Sequence, residues 1–281
     1  MLRLAVPNKG ALAESAQYIL KEAGYRSRKD SKELVLVDLE NSCELFFLRP
    51  RDIAVYVGEG TLDAGITGRD MLFDSGAPAE EVMPLGFGRS TFRFAAKPGT
   101  LKSLSDLNGL RVATSYAGLL DKYLAEHGID VRVIKLDGAV ETAIRLGVAD
   151  AVADVVETGT TLRNVGLEVF AEPIMQSEAL LIKREGAQEP AGLSQLIRRL
   201  QGVMVARDYV MMDYDIKAER IEEAIALTPG MEGPTVSPLH REGWVAVRAM
   251  VRRKGHQQVM DALWDIGARA ILVTDIYAAR L

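Results

Sequence analysis

Residues 141–162, ETAIRLGVADAVADVVETGTTL, constrain the fold more than any other stretch of the chain. Ala143, Ile144 and Leu146 are spaced as the apolar side of a helix end, and Gly147 follows. Glycine enters the left-handed conformation without steric penalty, so Gly147 is a natural helix stop. Ala151-Val152-Ala153 is a short, small, apolar run between Asp150 and Asp154, which suits a strand of a parallel sheet buried on both faces. Val155 to Leu162 then leaves the strand and turns into another helix. The succession of helix, buried strand, loop and helix predicts an α/β architecture.

The same pattern occurs a second time. Gly60-x-x-Asp63-Ala64, a strand and Thr67-Gly68 match Gly147-x-x-Asp150-Ala151, a strand and Asp154. This predicts two α/β lobes, each presenting a loop from an equivalent strand end. Asp63 and Asp150 share one helix-to-strand turn, so turn geometry accounts for both. Asp154 stands where the other lobe has Thr67, past the expected strand end, and is the better functional candidate.

Around this frame the pattern predicts strands at 2–6, 34–38, 44–49 and 62–66, then a long extended crossing at 85–97. The second lobe is expected to follow, with strands at 110–114 and 131–136 and a helix from about Ala117 to Glu126. A return crossing at 177–183 and a helix at 193–206 complete the first lobe. Lobe I therefore comprises residues 1–90 and 178–207, and lobe II residues 91–177. Two crossings between two lobes make a hinged cleft, where ligands commonly bind. From about Asp208 the order becomes βαββαβ, a ferredoxin-like arrangement of a small separate domain at 208–281.

Ligands of open α/β sheets bind beyond the carboxyl ends of strands. Thr158-Gly159-Thr160-Thr161 offers three hydroxyls and free backbone N–H groups at such an end, a setting that binds phosphate. Asp154 and Glu157 beside it suit sugar hydroxyls, or Mg²⁺ near phosphates. The other reading is that the threonines merely cap a helix and the acids face solvent. Lys9, in the turn after the first strand, is either a phosphate ligand or a solvated turn lysine, and Tyr116 either stacks on a flat ring or is a partly buried aromatic.

A formal net charge of −5 argues against broad nucleic-acid binding, and no apolar run reaches the length of a membrane span. Cys43 is the only cysteine, which excludes an intrachain disulfide and favours a reducing, cytoplasmic setting. His127, His240 and His256 are scattered and form no metal-ligand spacing with Cys43.

Glu141-x5-Gly147-Val148-Ala149-Asp150-Ala151-Val152-Ala153-Asp154, followed by Thr158-Gly159-Thr160-Thr161-Leu162, resembles the signature of the long-form ATP phosphoribosyltransferases. VPNKGAL at 6–12, LRPRDIAVYV at 48–57, GITGRD at 65–70 and LTPGMEGPTVSPL at 227–239 extend the resemblance over nearly the whole chain. It implies an α/β, two-lobed, periplasmic-binding-protein-like catalytic core with a hinged cleft, and a C-terminal ferredoxin-like regulatory domain. It implies the condensation of ATP with phosphoribosyl pyrophosphate, releasing pyrophosphate and requiring Mg²⁺, as the first step of histidine biosynthesis.

By this resemblance Thr158, Gly159, Thr160, Thr161 and Leu162 cradle the ribose 5-phosphate, with Asp154 and Glu157 near the sugar diol. Lys9, Gly10, Arg49, Arg69 and Asp70, with Tyr116 across the cleft, handle nucleotide and pyrophosphate. Asp215, Met231, Gly233, Thr235 and Ala270 contact histidine as a feedback inhibitor. A homo-oligomer, dimer and hexamer, is implied as well; the residues that hold Mg²⁺ are not assigned. The rival from another class is a solute-binding or effector-sensing protein, since a hinged cleft serves that role too. A nucleobase phosphoribosyltransferase is disfavoured because its usual apolar run with two adjacent acids is replaced by Asp154-Val155-Val156-Glu157. A third reading makes the C-terminal domain purely an assembly module.

Overall fold

The computed structural model describes residues 1–28, 30, 32–156 and 159–280. By contacts the chain divides into two compact units, Met1–Ser194 and Gln195–Leu281. The first unit begins with β1 (Leu2–Pro7), α1 (Ala11–Glu22), β2 (Val35–Asp38), β3 (Cys43–Leu48), α2 (Pro50–Gly58), β4 (Ala64–Gly68), α3 (Arg69–Ser75) and β5 (Ala79–Pro84). The chain then crosses to β6 (Ser90–Ala96), β7 (Arg111–Thr114), α4 (Ala117–His127), β8 (Arg132–Lys135), β9 (Ala151–Val156), α5 (Thr160–Asn164) and β10 (Glu168–Ser177). It returns through Glu178 to β11 (Ala179–Arg184) and enters α6 (Leu193–Asp208).

These strands form two sheets, ordered β2-β3-β1-β4-β11-β5 and β10-β6-β9-β7-β8. The lobes share one plan. β1 lies parallel between β3 and β4, and β7 lies parallel between β8 and β9. On the far side, β4 takes β11 and β9 takes β6, both antiparallel. Central strands covered on both faces have no exposed side for polar residues. Leu4, Ala5 and Val6 of β1 and Ala151, Val152 and Ala153 of β9 are accordingly fully buried.

The repeated aspartates do in both lobes what turn geometry requires. The Arg3 N–H donates to Asp63 Oδ2 at 2.7 Å, and the Asp63 N–H returns a bond to the Arg3 carbonyl at 3.0 Å. The Arg111 N–H donates to Asp150 Oδ2 at 3.0 Å, and the Asp150 N–H to the Arg111 carbonyl at 2.9 Å. Each acid locks the start of one central strand to the start of its neighbour.

The structure departs from the sequence reading in several places. β4 runs two residues later than expected, so Thr67 and Gly68 are ladder residues. β9 continues to Val156, which puts Asp154 within the strand rather than past its end. Residues 137–147 are a single 3₁₀ turn at Val140–Thr142 followed by turns, not an amphipathic helix. Ala143 and Ile144 are buried there, but Leu146 is 74% exposed. Gly147 does take the left-handed conformation, with φ 72°. β5 and β10 were not foreseen; in β10 a register shift between Phe170 and Met175 and a positive φ at Ala171 disrupt the alternation that marks a strand. The division within α6 falls earlier than the expected boundary after residue 207. Helical periodicity marks an apolar stripe without naming the body it packs on.

The second unit contains β12 (Tyr209–Lys217), α7 (Ile221–Leu227), β13 (Thr235–Pro238), β14 (Trp244–Arg252), α8 (His256–Asp265) and β15 (Arg269–Asp275). Its antiparallel sheet is ordered β13-β14-β12-β15, the ferredoxin-like arrangement. Val210, Met212, Tyr214 and Ile216 of β12 alternate into a core with Ala224 and Leu263 from the two helices. Among the described residues, no helix is long and apolar enough to cross a membrane.

Candidate active site

The carboxyl ends of β1, β3, β7 and β8 open on one cavity of about 600 Å³ between the lobes. Lobe I contributes Lys9 and Gly10 after β1, and Arg49, Arg51 and Asp52 at the start of α2. Lobe II contributes Ser115 after β7, and Lys135 and Asp137 at the end of β8. Four cations against two carboxylates make this lining suited to a polyanion. Gly10, the N-cap of α1, has φ 78° and open space where a side chain would stand. The first N–H groups of a twelve-residue helix are therefore approachable by a phosphate.

Sequence reasoning found Lys9, Gly10 and Arg49 of this lining, and missed Arg51, Ser115, Lys135 and Asp137. Position just past a strand's carboxyl end was the signal that marks Ser115, Lys135 and Asp137.

Arg51 joins the lobes. Its guanidinium lies 4.2 Å from the Tyr116 ring centroid, with Nη1 3.0 Å from Asp74 and Nη2 3.2 Å from Ser115 Oγ. Asp74, at the end of α3, also accepts from the Leu119 N–H of α4 at 3.2 Å. Tyr116 is buried against Phe92, edge to face at 5.4 Å, and Arg51 covers its ring. Burial pushes the Tyr116 hydroxyl well above the usual phenol range, and Asp70, to which it is hydrogen-bonded, adds to this. Asp70 is itself buried: its carboxylate accepts from Ser177 Oγ at 2.8 Å, while the same oxygen accepts from the Asp70 N–H at 3.1 Å. Tyr116, Asp70 and Ser177 thus link lobe II, lobe I and the return crossing.

Arg69 is placed away from the cavity. It makes a two-pronged pair with Glu81 at 2.8 and 3.1 Å and lies 3.7 Å from Glu178, and the bond to Glu81 chiefly raises its already high pKa. Leu162 packs its side chain in the lobe II core, so only its main chain is available to a ligand. Gly159 caps α5 with φ 72°, and Thr160 and Thr161 are exposed on its first turn. Glu157 and Thr158 lie outside the described residues.

Asp154 stands opposite Arg93 across β9 and β6. The Arg93 guanidinium turns instead to the Ala171 carbonyl at 2.7 Å, and its buried Nε has no partner among the described residues. Asp154 Oδ1 accepts the N–H of Val155 at 2.8 Å. Burial raises its pKa above 3.8, as do the charges of Glu141 and Asp70, against the opposing effects of that N–H and Arg51. A partly buried carboxylate with so few donors has unused capacity for hydroxyls or a cation.

Among the described residues no group of three or more His, Cys, Asp or Glu side chains is placed to hold a metal ion. Cys43 is fully buried in β3, and burial pushes its thiol up to about 12, so it is a packing residue. In the second unit, Asp215 of β12 is the main-chain register partner of Arg269 in β15, beside a register shift and next to Ala270, whose φ is 49°. Thr235 is exposed at the start of β13, and Met231 and Gly233 lie in the preceding loop.

Two facing α/β lobes with a cationic cleft at their strand ends define the broad class of two-lobed α/β cleft proteins. Within that class, a sequence profile described as ATP phosphoribosyltransferase matches residues 49–202, and one described as HisG, C-terminal domain, matches residues 206–278. Proteins called ATP phosphoribosyltransferase from Kocuria rhizophila and Streptomyces avermitilis are 66% and 65% identical, each over 100% of both chains. The solved ATP phosphoribosyl transferase (HisG:HisZ) complex from Thermotoga maritima aligns with TM-score 0.64 and 26% identity, covering 73% of this chain and 98% of that one. The chain belongs to the ATP phosphoribosyltransferase family, in the form that carries the C-terminal domain.

Proposed function

We propose that the chain joins N1 of the adenine of ATP to C1 of the ribose of phosphoribosyl pyrophosphate, with inversion and release of pyrophosphate, as the first step of histidine biosynthesis. The observation that carries this reading is the convergence of Lys9, Arg49 and Arg51 from one lobe and Lys135 from the other on a single cavity. Departing pyrophosphate concentrates negative charge, and fixed cations in a cleft stabilise it without reorganising. The ribose becomes oxocarbenium-like, so its hydroxyls need an acceptor; Asp154 is the carboxylate with unused capacity, and Glu157 follows it in sequence. The protein's task is alignment and electrostatics rather than covalent catalysis, consistent with the inert Cys43.

Mg²⁺ fits this site as a substrate-borne ion. It commonly keeps waters and takes one or two carboxylates together with substrate phosphates. Asp137 in the cavity lining is such a donor, and Asp154, outside that lining, is a second carboxylate with unused capacity; when bound the ion would neutralise pyrophosphate charge.

The C-terminal unit is read as a histidine sensor. Asp215 would pair with the α-amino group of histidine, and the N–H groups of the Met231–Gly233 loop with its carboxylate. Met211, Met250 and Leu272 stand on the sheet face turned away from the helices, which supports self-association into the dimer and hexamer.

Incubation with ATP, phosphoribosyl pyrophosphate and Mg²⁺ should produce the absorbance of phosphoribosyl-ATP, and absence of product without histidine present would defeat the catalytic reading. Histidine should inhibit without competing for the phosphoribosyl site. Thr235→Ala should weaken that inhibition, and full sensitivity in this variant would count against the sensor assignment.

A further inference from the structure

A second cavity, of about 480 Å³, lies wholly within the C-terminal unit and is lined by none of the residues assigned above. It sits where β12 runs into α7, the β13–β14 connection closes, and α8 hands over to β15. The whole chain carries a formal charge of −5, yet here Lys217, Arg220, Arg241 and Arg269 face one carboxylate, that of Glu219.

The basic residues fall into two pairs. Lys217 lies 3.6 Å from Glu219, and Arg220 reaches Glu223 at 2.6 Å, so both are compensated locally. Arg241 and Arg269 have no carboxylate partner among the described residues. The Arg241 guanidinium lies 4.2 Å from the Trp244 ring centroid, and that of Arg269 lies 4.1 Å from the Trp264 centroid. Arg269 Nη1 also donates to the Ala268 carbonyl at 2.7 Å and to the Trp264 carbonyl at 3.4 Å, at the end of α8, while its Nε and Nη2 make no hydrogen bond among the described residues. Packing on an indole orders a guanidinium without consuming its N–H edge, which is the part that grips phosphate oxygens in pairs. Holding like charges around one cavity is unfavourable unless an anion joins them.

We propose that this cavity binds a small ligand carrying a polyphosphate group, with Arg241 and Arg269 as its principal contacts. The volume falls in the range of small-molecule sites and is too confined for a nucleic-acid duplex. The site lies in the unit read above as a sensor, but the inference does not depend on that reading.

The chain has two tryptophans, Trp244 and Trp264, and both stand under these arginines. Indole fluorescence is therefore a reporter of this cavity. Titrating the full-length protein with inorganic tripolyphosphate at constant ionic strength should give a saturable emission change. The Arg241→Gln/Arg269→Gln variant should shift its midpoint by about tenfold or more, the weight of losing charge-assisted hydrogen bonds. Arg49→Gln, in the catalytic cleft, should leave the midpoint unchanged. No saturable change would overturn the proposal, as would a midpoint unmoved in the double variant or one that moves with Arg49→Gln. Should the double variant fail to fold by circular dichroism, Arg241→Gln alone carries the test, since among the described residues the guanidinium it removes packs on the Trp244 indole and makes no ion pair.

Discussion

Lobe I and lobe II of the first unit share a strand order and a strand-locking aspartate, and they diverge four residues later. Thr67 of β4 and Asp154 of β9 are equivalent: each pairs with the antiparallel crossing strand, Thr67 with Leu180 and Asp154 with Arg93. Thr67 is fully buried, and its hydroxyl donates to the Pro50 carbonyl at 2.8 Å. Asp154 is a carboxylate that burial and neighbouring acids push toward protonation. The repeated acid, Asp63 or Asp150, builds the turn; among the described residues the acid present in one lobe alone accepts only the N–H of Val155. The helices after β1 and β7 differ in the same way. The N-terminus of α1 is open at Gly10, whereas that of α4 is closed by Asp74 from the facing lobe. One lobe leaves the start of its helix open, and the other uses a helix donor, the Leu119 N–H, to hold the lobes together.

The sharpest way to break this comparison is to neutralise the two equivalent positions. Asp154→Asn should lower kcat/KM by about a hundredfold or more, the scale of losing a preorganised electrostatic contact. Its effect on stability should run the other way. Because the native carboxyl has a pKa above 3.8, the folded state holds that proton more tightly than the unfolded chain. Ionisation therefore removes stability as pH rises through the raised value, and the loss is complete well above it. Asp154→Asn should thus match or exceed the parent Tm at neutral pH. Thr67→Val should cost about 1 kcal/mol by removing the hydroxyl bond to the Pro50 carbonyl, with kcat near that of the parent. Activity retained in both variants, with both destabilised, would erase the distinction between the positions.

A smaller effect is expected where the lobes meet. A Cβ at Gly118 would stand 2.5 Å from the Asp74 carbonyl oxygen, a backbone atom that cannot swing aside. Gly118→Ala should therefore part α3 from α4 and displace Arg51 and Tyr116. A loss of roughly tenfold to a hundredfold in kcat/KM follows if reacting groups shift by about an ångström. Gly118→Ala with unchanged kinetics would show that this contact does not set the cleft geometry.

These contrasts explain what could be read from the residues alone. The two-lobe plan was legible because Asp63 and Asp150 repeat with their flanking glycines, and local turn chemistry is written in local sequence. Lys9 and Arg49 were legible as parts of recognisable motifs, and both line the cavity. Arg51 and Asp74 were not, because their role is a long-range contact with Ser115, Tyr116 and Leu119 that no periodicity encodes. Tyr116 and Asp70 were singled out, but the sequence does not show that they bond to each other or that Arg51 covers the ring. The expected helix before Gly147 failed for a related reason: Ala143 and Ile144 do enter the core, yet a 3₁₀ turn delivers them as well as an α-helix would.

The last and smallest test concerns the aspartates the lobes share. Asp150 accepts the Arg111 N–H and a two-pronged bond from the same guanidinium, at 3.1 and 2.8 Å, and these hold its carboxyl at about 2 rather than 3.8. Asp63 accepts the Arg3 N–H, but the Arg3 guanidinium turns to the Thr61 carbonyl at 2.7 Å. Asp150→Asn should therefore cost more than Asp63→Asn. A charge-assisted pair more than a third exposed is screened, so the expected cost is about 1–2 kcal/mol, with kcat preserved in both. The contribution of Asp150 is fully present above its unfolded pKa and is lost as pH falls from 3.8 toward about 2. The Tm gap between the parent and Asp150→Asn should close over that window. A gap that stays constant would mean that shape and the N–H bond, rather than the carboxylate charge, secure this turn, and that the two lobes start their central strands by the same neutral contact.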